Sequence, residues 1–84
     1  MTNENYNYYK GYELDIPIYE LTDREIRVLD NACDLVDNNW SLRVLSSNVC
    51  RSKSALQRDM SITLRKLSYD LYGVVRRTLR NHRV

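Results

Sequence analysis

The sequence is poor in the residues that build covalent or metal-held scaffolds. It has two cysteines and one histidine, too few for a disulfide framework or a four-ligand metal set. Cys33 and Cys50 therefore read as reduced thiols of a cytoplasmic protein. There is no long apolar run and no charged-then-apolar leader, so neither a membrane span nor an ordinary secretion signal is expected. Paired carboxylates, a nucleophile–base set and a glycine-rich phosphate loop are missing too. The expectation is a protein that is not an enzyme and uses no cofactor.

What is present is charge, unevenly placed. The 84 residues suffice for one small domain with a net charge of +2. A domain of this size buries roughly two-thirds of the surface its unfolded chain exposes, so stability is modest and a partner helps. Residues 1–40 carry nine acidic and three basic side chains, whereas residues 41–84 carry two acidic and ten basic ones. The halves are thus net −6 and net +8. Such segregation points to a polyanion facing the basic half, or to the two halves complementing each other.

The stretch "MTNENYNYYKG" is polar, rich in Asn and Tyr, and expected to be frayed at its start. In "YELDIPIYEL", Tyr12, Leu14, Ile16 and Ile18 alternate with Glu13, Asp15, Pro17 and Tyr19, the period of a half-buried strand. Pro17 restricts it to an edge strand or an extended arm. It either lies across the helices or pairs with its copy in a symmetric dimer. Of the seven tyrosines, four fall within residues 6–12; among acidic neighbours they suit packing better than stacking on single-stranded nucleic acid.

Four helices follow. Thr22 and Glu25 form a capping box for helix 1, whose face is Ile26, Leu29, Ala32 or Cys33, and Val36. "DNN" at residues 37–39 breaks it, and Trp40 after the break reads as a core residue. Ser41 caps a short helix 2 with Leu42, Leu45 and Val49 inward and the small Ser46 allowing close approach. After a short turn at Cys50 and Arg51, Ser52 caps helix 3, with Leu56, Met60, Thr63, Leu64 and Leu67 buried. Helix 4 starts near Ser68 or Asp70 and buries Leu71, Val74 or Val75, Thr78 and Leu79. Gly73 weakens it slightly. Arg76, Arg77, Arg80, His82 and Arg83 crowd its end, where positive charge suits the helix dipole. The lone His82 is expected to be solvated. The reading is an all-α fold: a four-helix helix-turn-helix domain over residues 21–84, preceded by a partly extended arm over residues 1–20.

Removing the buried face of helix 3 leaves Lys53, Ser54, Gln57, Arg58, Ser61 and Arg65 on a stripe at steps of about four. Arg and Lys reach guanine acceptors, Gln pairs with adenine, and Ser bonds base or phosphate. The helix N-terminus docks first in this motif and also suits a phosphate. Lys53, Ser54, Gln57 and Arg58 are therefore the expected base-reading residues. Ser41, Arg43, Arg51, Ser52, Ser61 and Arg65 are the expected phosphate contacts. Asp59 either pairs locally or repels phosphate.

The run W-S-L-x-x-L-S-S-x-V-x-x-S-x-S-x-L-x-R-x-M resembles the first helix-turn-helix of AraC/XylS-type transcription regulators. In that family an aromatic precedes the scaffold helix as Trp40 does, and a small residue stands where Ser46 is. A serine caps the recognition helix like Ser52, Leu and Arg follow like Leu56 and Arg58, and a large apolar residue falls at Met60. Ser68, Tyr72 and Arg76 lie near the family's linker-helix pattern. The likeness covers roughly residues 26–77. It departs at Leu64-Arg65, where the family has a glycine, at Arg51, which replaces an apolar turn residue, and in leaving no room for a second helix-turn-helix. "LTDREIRVL" together with "SKSALQRDMSITLRKL" also resembles the LuxR-type domain, given about four extra residues around 37–40.

Both resemblances imply sequence-specific binding to duplex DNA by a transcription regulator of bacterial or phage type, with the recognition helix, about residues 52–67, in the major groove. The expected partners are duplex DNA, a second copy of the chain met through the N-terminal arm or helix 4, and RNA polymerase or another regulator, with no membrane; the arginine cluster of helix 4 holds the flanking DNA backbone, or polymerase, or nothing. The alternative is a protein-interaction module that antagonises or assists a larger regulator or polymerase.

Overall fold

Thr22 opens the first helix in the manner its spacing from Glu25 predicts. The Thr22 hydroxyl accepts from the Glu25 N–H and the Glu25 carboxylate accepts from the Thr22 N–H. In the computed structural model, which describes residues 7–82, this helix is α1 (Asp23–Asp37). It is followed by α2 (Leu42–Val49). Next comes α3, residues 53–67, in which a π-helical stretch Asp59–Thr63 interrupts the α-helical Lys53–Arg58 and Leu64–Leu67. The last is α4 (Tyr69–Arg80). Ser41, Ser52 and Ser68 cap α2, α3 and α4, each hydroxyl accepting the N–H three residues on. The described residues thus form a mostly helical fold of four helices and a short hairpin. No helix among them is long and apolar enough to cross a membrane.

The hairpin corrects the expectation of a strand without an intrachain partner. Its strands are β1 (Tyr8–Tyr9) and β2 (Tyr12–Glu13), antiparallel, with Tyr8 opposite Glu13 and Tyr9 opposite Tyr12. Lys10 and Gly11 both hold positive φ, 52° and 91°, as a two-residue turn matching strand twist demands. Residues 7–11 of that stretch are therefore in the hairpin and its lead-in, while the fraying expected at its start falls on residues 1–6, outside the described residues. The alternation of the arm survives beyond the ladder. Leu14 is buried, Ile16 and Ile18 lie against the core, and Glu13 and Asp15 are exposed. After Pro17 the chain turns through a 3-10 segment, Ile18–Glu20.

The arm is stapled to the junction of α3 and α4. The Asp15 N–H donates to the Leu67 carbonyl at 2.8 Å, and the Asp15 carboxylate accepts from the Tyr69 N–H at 2.9 Å. Ser68, fully buried, donates its hydroxyl to the Glu13 carbonyl while accepting from the Leu71 N–H. At the hairpin end, the Tyr9 hydroxyl donates to Asp30 of α1, and Lys10 pairs with the same carboxylate at 3.1 Å.

The core is leucine-rich: Leu29, Leu35, Leu45, Leu56, Leu64, Leu67 and Leu71 have no exposed surface. Each contributes about 1.5–3 kcal/mol of burial. α1 packs against α2, α3 and α4 at once, so its buried face is wider than the expected stripe. Val28 and Leu35 join Leu29, Ala32 and Cys33, while Ile26 and Val36 are only partly buried. Burial pushes the Cys33 thiol up to about 11, so it stays protonated at neutral pH. Trp40 lies against the core, its backbone N–H donating to the Leu35 carbonyl at 2.9 Å.

Candidate nucleic-acid interface

Residues 41–67 assemble the candidate interface from two capped helices and a rigid corner. α2 ends at Cys50, whose left-handed backbone (φ 56°, ψ 46°) turns its N–H back to the Ser46 carbonyl. Ser46, half-buried, donates its hydroxyl to the Arg51 carbonyl, and the Arg51 N–H points at the Ser46 carbonyl. A larger residue at 46 would displace this bond as well as separate the helices. The Arg51 guanidinium then pairs at 2.9 Å with Asp59, a carboxylate buried in the π-helical stretch of α3. Arg51 was expected on a phosphate. It is held by an ion pair in which its partner is nearly solvent-free, an arrangement costly to break.

The base-reading candidates Lys53, Ser54, Gln57 and Arg58 are all exposed on α3, as are Ser61 and Arg65. A regular α-helix rotates residues spaced by four through about 40° per step. Lys53, Gln57, Ser61 and Arg65 would therefore drift by about 120°, and Leu56, Met60 and Leu64 on the buried face by about 80°. The π-helical stretch absorbs about one extra residue and removes the drift. Leu56, Met60 and Leu64 stay buried, and the four polar residues keep to the opposite side.

Part of this stripe lines an open groove of about 690 Å³ between the start of α2, α3 and α4. Lys53, Gln57 and Ser61 come from α3, Ser41 and Arg43 from the start of α2, and Arg76 and Arg80 from α4. Leu42, Met60, Tyr72, Val75 and Leu79 supply its apolar surface, and no acidic residue is among its described lining. Ser54 and Arg58 lie outside the groove, further round α3. The hydroxyls of Ser41 and Ser52 cap helices, and that of Ser61 donates to the Gln57 carbonyl at 2.7 Å. Each hydroxyl oxygen retains capacity for an anion. Arg65 stands with its Cζ 6.0 Å from the Tyr72 ring centre, and Arg76 approaches the same ring at 5.8 Å.

What the sequence did not show is that Tyr72, Arg76 and Arg80 stand beside Lys53 and Gln57; the arginine cluster itself was legible, its place in this groove was not. Their own spacing of four marked one face of α4, but only the packing of α4 beside α3 brings that face to the groove. His82, expected to be solvated, is exposed yet donates its Nε2–H to the Asn39 carbonyl at 2.8 Å, tying the end of α4 to the loop before α2. Among the described residues Arg43, Lys53, Arg58, Arg76, Arg77 and Arg80 form no ion pair. No family model matches this chain, and neither the curated proteins nor the solved structures provide a match.

Proposed function

We propose that the chain is a sequence-specific duplex-DNA-binding transcription regulator acting in the cytoplasm, with α2, the turn and α3 as a helix-turn-helix. The observation that carries this reading is the exposed polar run Lys53, Gln57, Ser61 and Arg65 on α3, of which the first three line one groove with Arg43 and no described carboxylate. The N-terminal part of α3 enters the major groove, where Lys53, Ser54, Gln57 and Arg58 reach base edges. Ser41, Arg43, Ser52, Ser61 and Arg65 hold phosphates. Arg51 acts by fixing the turn against Asp59. A single reading head binds weakly, so two copies act on half-sites about one helical turn of DNA apart. The resemblance to the AraC/XylS-type and LuxR-type heads agrees with this assignment of roles.

Selection of bound sequences from random duplex DNA tests the reading. A defined site is expected, and Lys53→Ala and Arg58→Ala each cost about 1–3 kcal/mol there and relax its sequence at one position. Absence of salt-dependent affinity for any duplex overturns it. A second reading, a module that binds another regulator or polymerase, is favoured by the apolar floor of the groove. That floor with its basic rim suits an acidic amphipathic helix. Under it, DNA affinity is negligible for the native chain and both variants.

A further inference from the structure

The outer face of α4 holds a second concentration of positive charge that the reading head does not use. Tyr69, Tyr72, Gly73, Arg76, Arg77 and Arg80 line a shallow notch of about 280 Å³. Three arginines within one and a half turns repel one another, and among the described residues no carboxylate neutralises them. Tyr72 lies near two guanidiniums at once, those of Arg65 and Arg76. Tyr69 is 64% exposed, with its ring 5.8 Å from that of Tyr72.

The glycine is the informative residue. Gly73 sits in the interior of α4, where glycine disfavours the helix relative to alanine. Packing does not require it: a Cβ there would meet nothing within 4 Å, and its φ is not left-handed. A helix position that needs no glycine for its fold, set between aromatics and arginines, suits close approach of an external backbone.

We infer that this face of α4 is a second DNA contact, which grips the phosphate backbone of the duplex flanking the segment read by α3. Tyr72, Arg76 and Arg80 line both the notch and the groove beside α3. The two basic surfaces are therefore continuous, and one polyanion running from α3 over α4 fits them better than two separate ligands. Duplex DNA is the occupant favoured by charge, because it presents phosphates at regular close spacing. Arg76, Arg77 and Arg80 take phosphate oxygens, the exposed Tyr69 hydroxyl adds a neutral contact, and Gly73 lets the strand approach. This inference rests on the duplex-binding reading above and extends its footprint without adding sequence preference.

The test measures affinity of the full chain for a selected duplex and for a random one across salt. Native protein is compared with Arg76→Ala/Arg77→Ala/Arg80→Ala, Gly73→Gln and Lys53→Ala. The triple variant is expected to flatten the plot of log affinity against log salt by about 2–3 units on both duplexes. Base preference stays native. Gly73→Gln is expected to raise the melting temperature yet weaken binding to both duplexes, a combination that a merely structural glycine does not give. Lys53→Ala instead changes preference for the selected site. If the native chain binds duplexes without preference and the triple variant still flattens the slope, the α4 contact stands and base reading by α3 falls. If a selected site exists and the triple and Gly73 variants keep native slope and affinity, the α4 contact is overturned and the reading head stands. If no duplex is bound at all, both are overturned.

Discussion

Cys50 takes no visible part in any chemistry yet occupies the most demanding backbone position between α2 and α3. Its φ of 56° puts a side-chain-bearing residue in the left-handed region, which costs L-residues roughly 1–2 kcal/mol. Helices commonly close on glycine at such a position. Glycine's larger unfolded freedom offsets part of the gain, so Cys50→Gly is expected to stabilise the fold by about 0.5–1 kcal/mol. For a domain of this size that raises the melting temperature by roughly 2–8 °C in a thermal melt. The sequence showed a turn at residues 50 and 51 but not its geometry, because cysteine is not a residue that announces a left-handed cap. The ion pair of Arg51 was hidden for a related reason. A basic residue in a turn reads as solvated until the fold brings a buried carboxylate, eight positions on, to its guanidinium.

α3 carries its irregularity in the sequence, once both faces are counted together. The buried set Leu56, Met60 and Leu64 and the polar set Lys53, Gln57, Ser61 and Arg65 each step by four. No regular α-helix keeps two such runs in line, and the π-helical stretch Asp59–Thr63 reconciles them. Removing one residue from that stretch should return the segment to α-helix without rotating Leu64 or Leu67 out of the core. Ile62, 60% exposed, is the residue to remove. Deletion of Ile62 is expected to leave a cooperative thermal transition close to native, while turning Ser61 out of line with Gln57 and weakening DNA binding. Deletion of Arg27, exposed in the uninterrupted α1, rotates everything after it by about 100° and is expected to abolish the transition. Circular dichroism melts of the two deletions separate these outcomes. The capping serines and threonine were legible because their bonds are local. The hairpin was not: strands of two residues show no alternation, and Lys-Gly is a weak signal for a turn with two positive φ angles.

At the scale of the molecule, no ion pair among the described residues joins the acidic half of the sequence to the basic half. Among the described residues there are two, Lys10 with Asp30 and Arg51 with Asp59, and neither spans the two halves. The basic half is left open around α3 and α4, a disposition that composition suggested but could not locate. The pairing at the hairpin gives the fold a pH dependence at both ends. Burial pushes Asp30 up, but the hydrogen bonds from Tyr9 and Lys10 outweigh it and hold its carboxyl below the ordinary 3.8. Its contribution is present above that value and is lost as pH falls through the lowered folded value. Hydrogen bonding to Asp30 raises both Tyr9 and Lys10 above their ordinary 10.0 and 10.5. Their contributions are present below those values and fade as pH rises through the raised ones. Docking of the hairpin on α1 is therefore expected to hold from about pH 4 to about pH 10 and to loosen beyond either limit. Amide exchange of residues 8–13 against pH measures it, and Asp30→Asn is expected to remove both flanks of the profile.

The staple between the arm and α4 also fixes an order of events during synthesis. Glu13 and Asp15 emerge before any helix has been made, yet their partners are Leu67, Ser68, Tyr69 and Asp70. Ser68 lies 55 residues beyond Glu13, a length that takes roughly 3–11 s to elongate at cellular rates. Throughout that interval Leu14 has no core to enter and the hairpin's outer strand has no helix junction to rest on. The segment stays open to proteases and chaperones while its own docking site is still being translated. It is threaded out early and seated late.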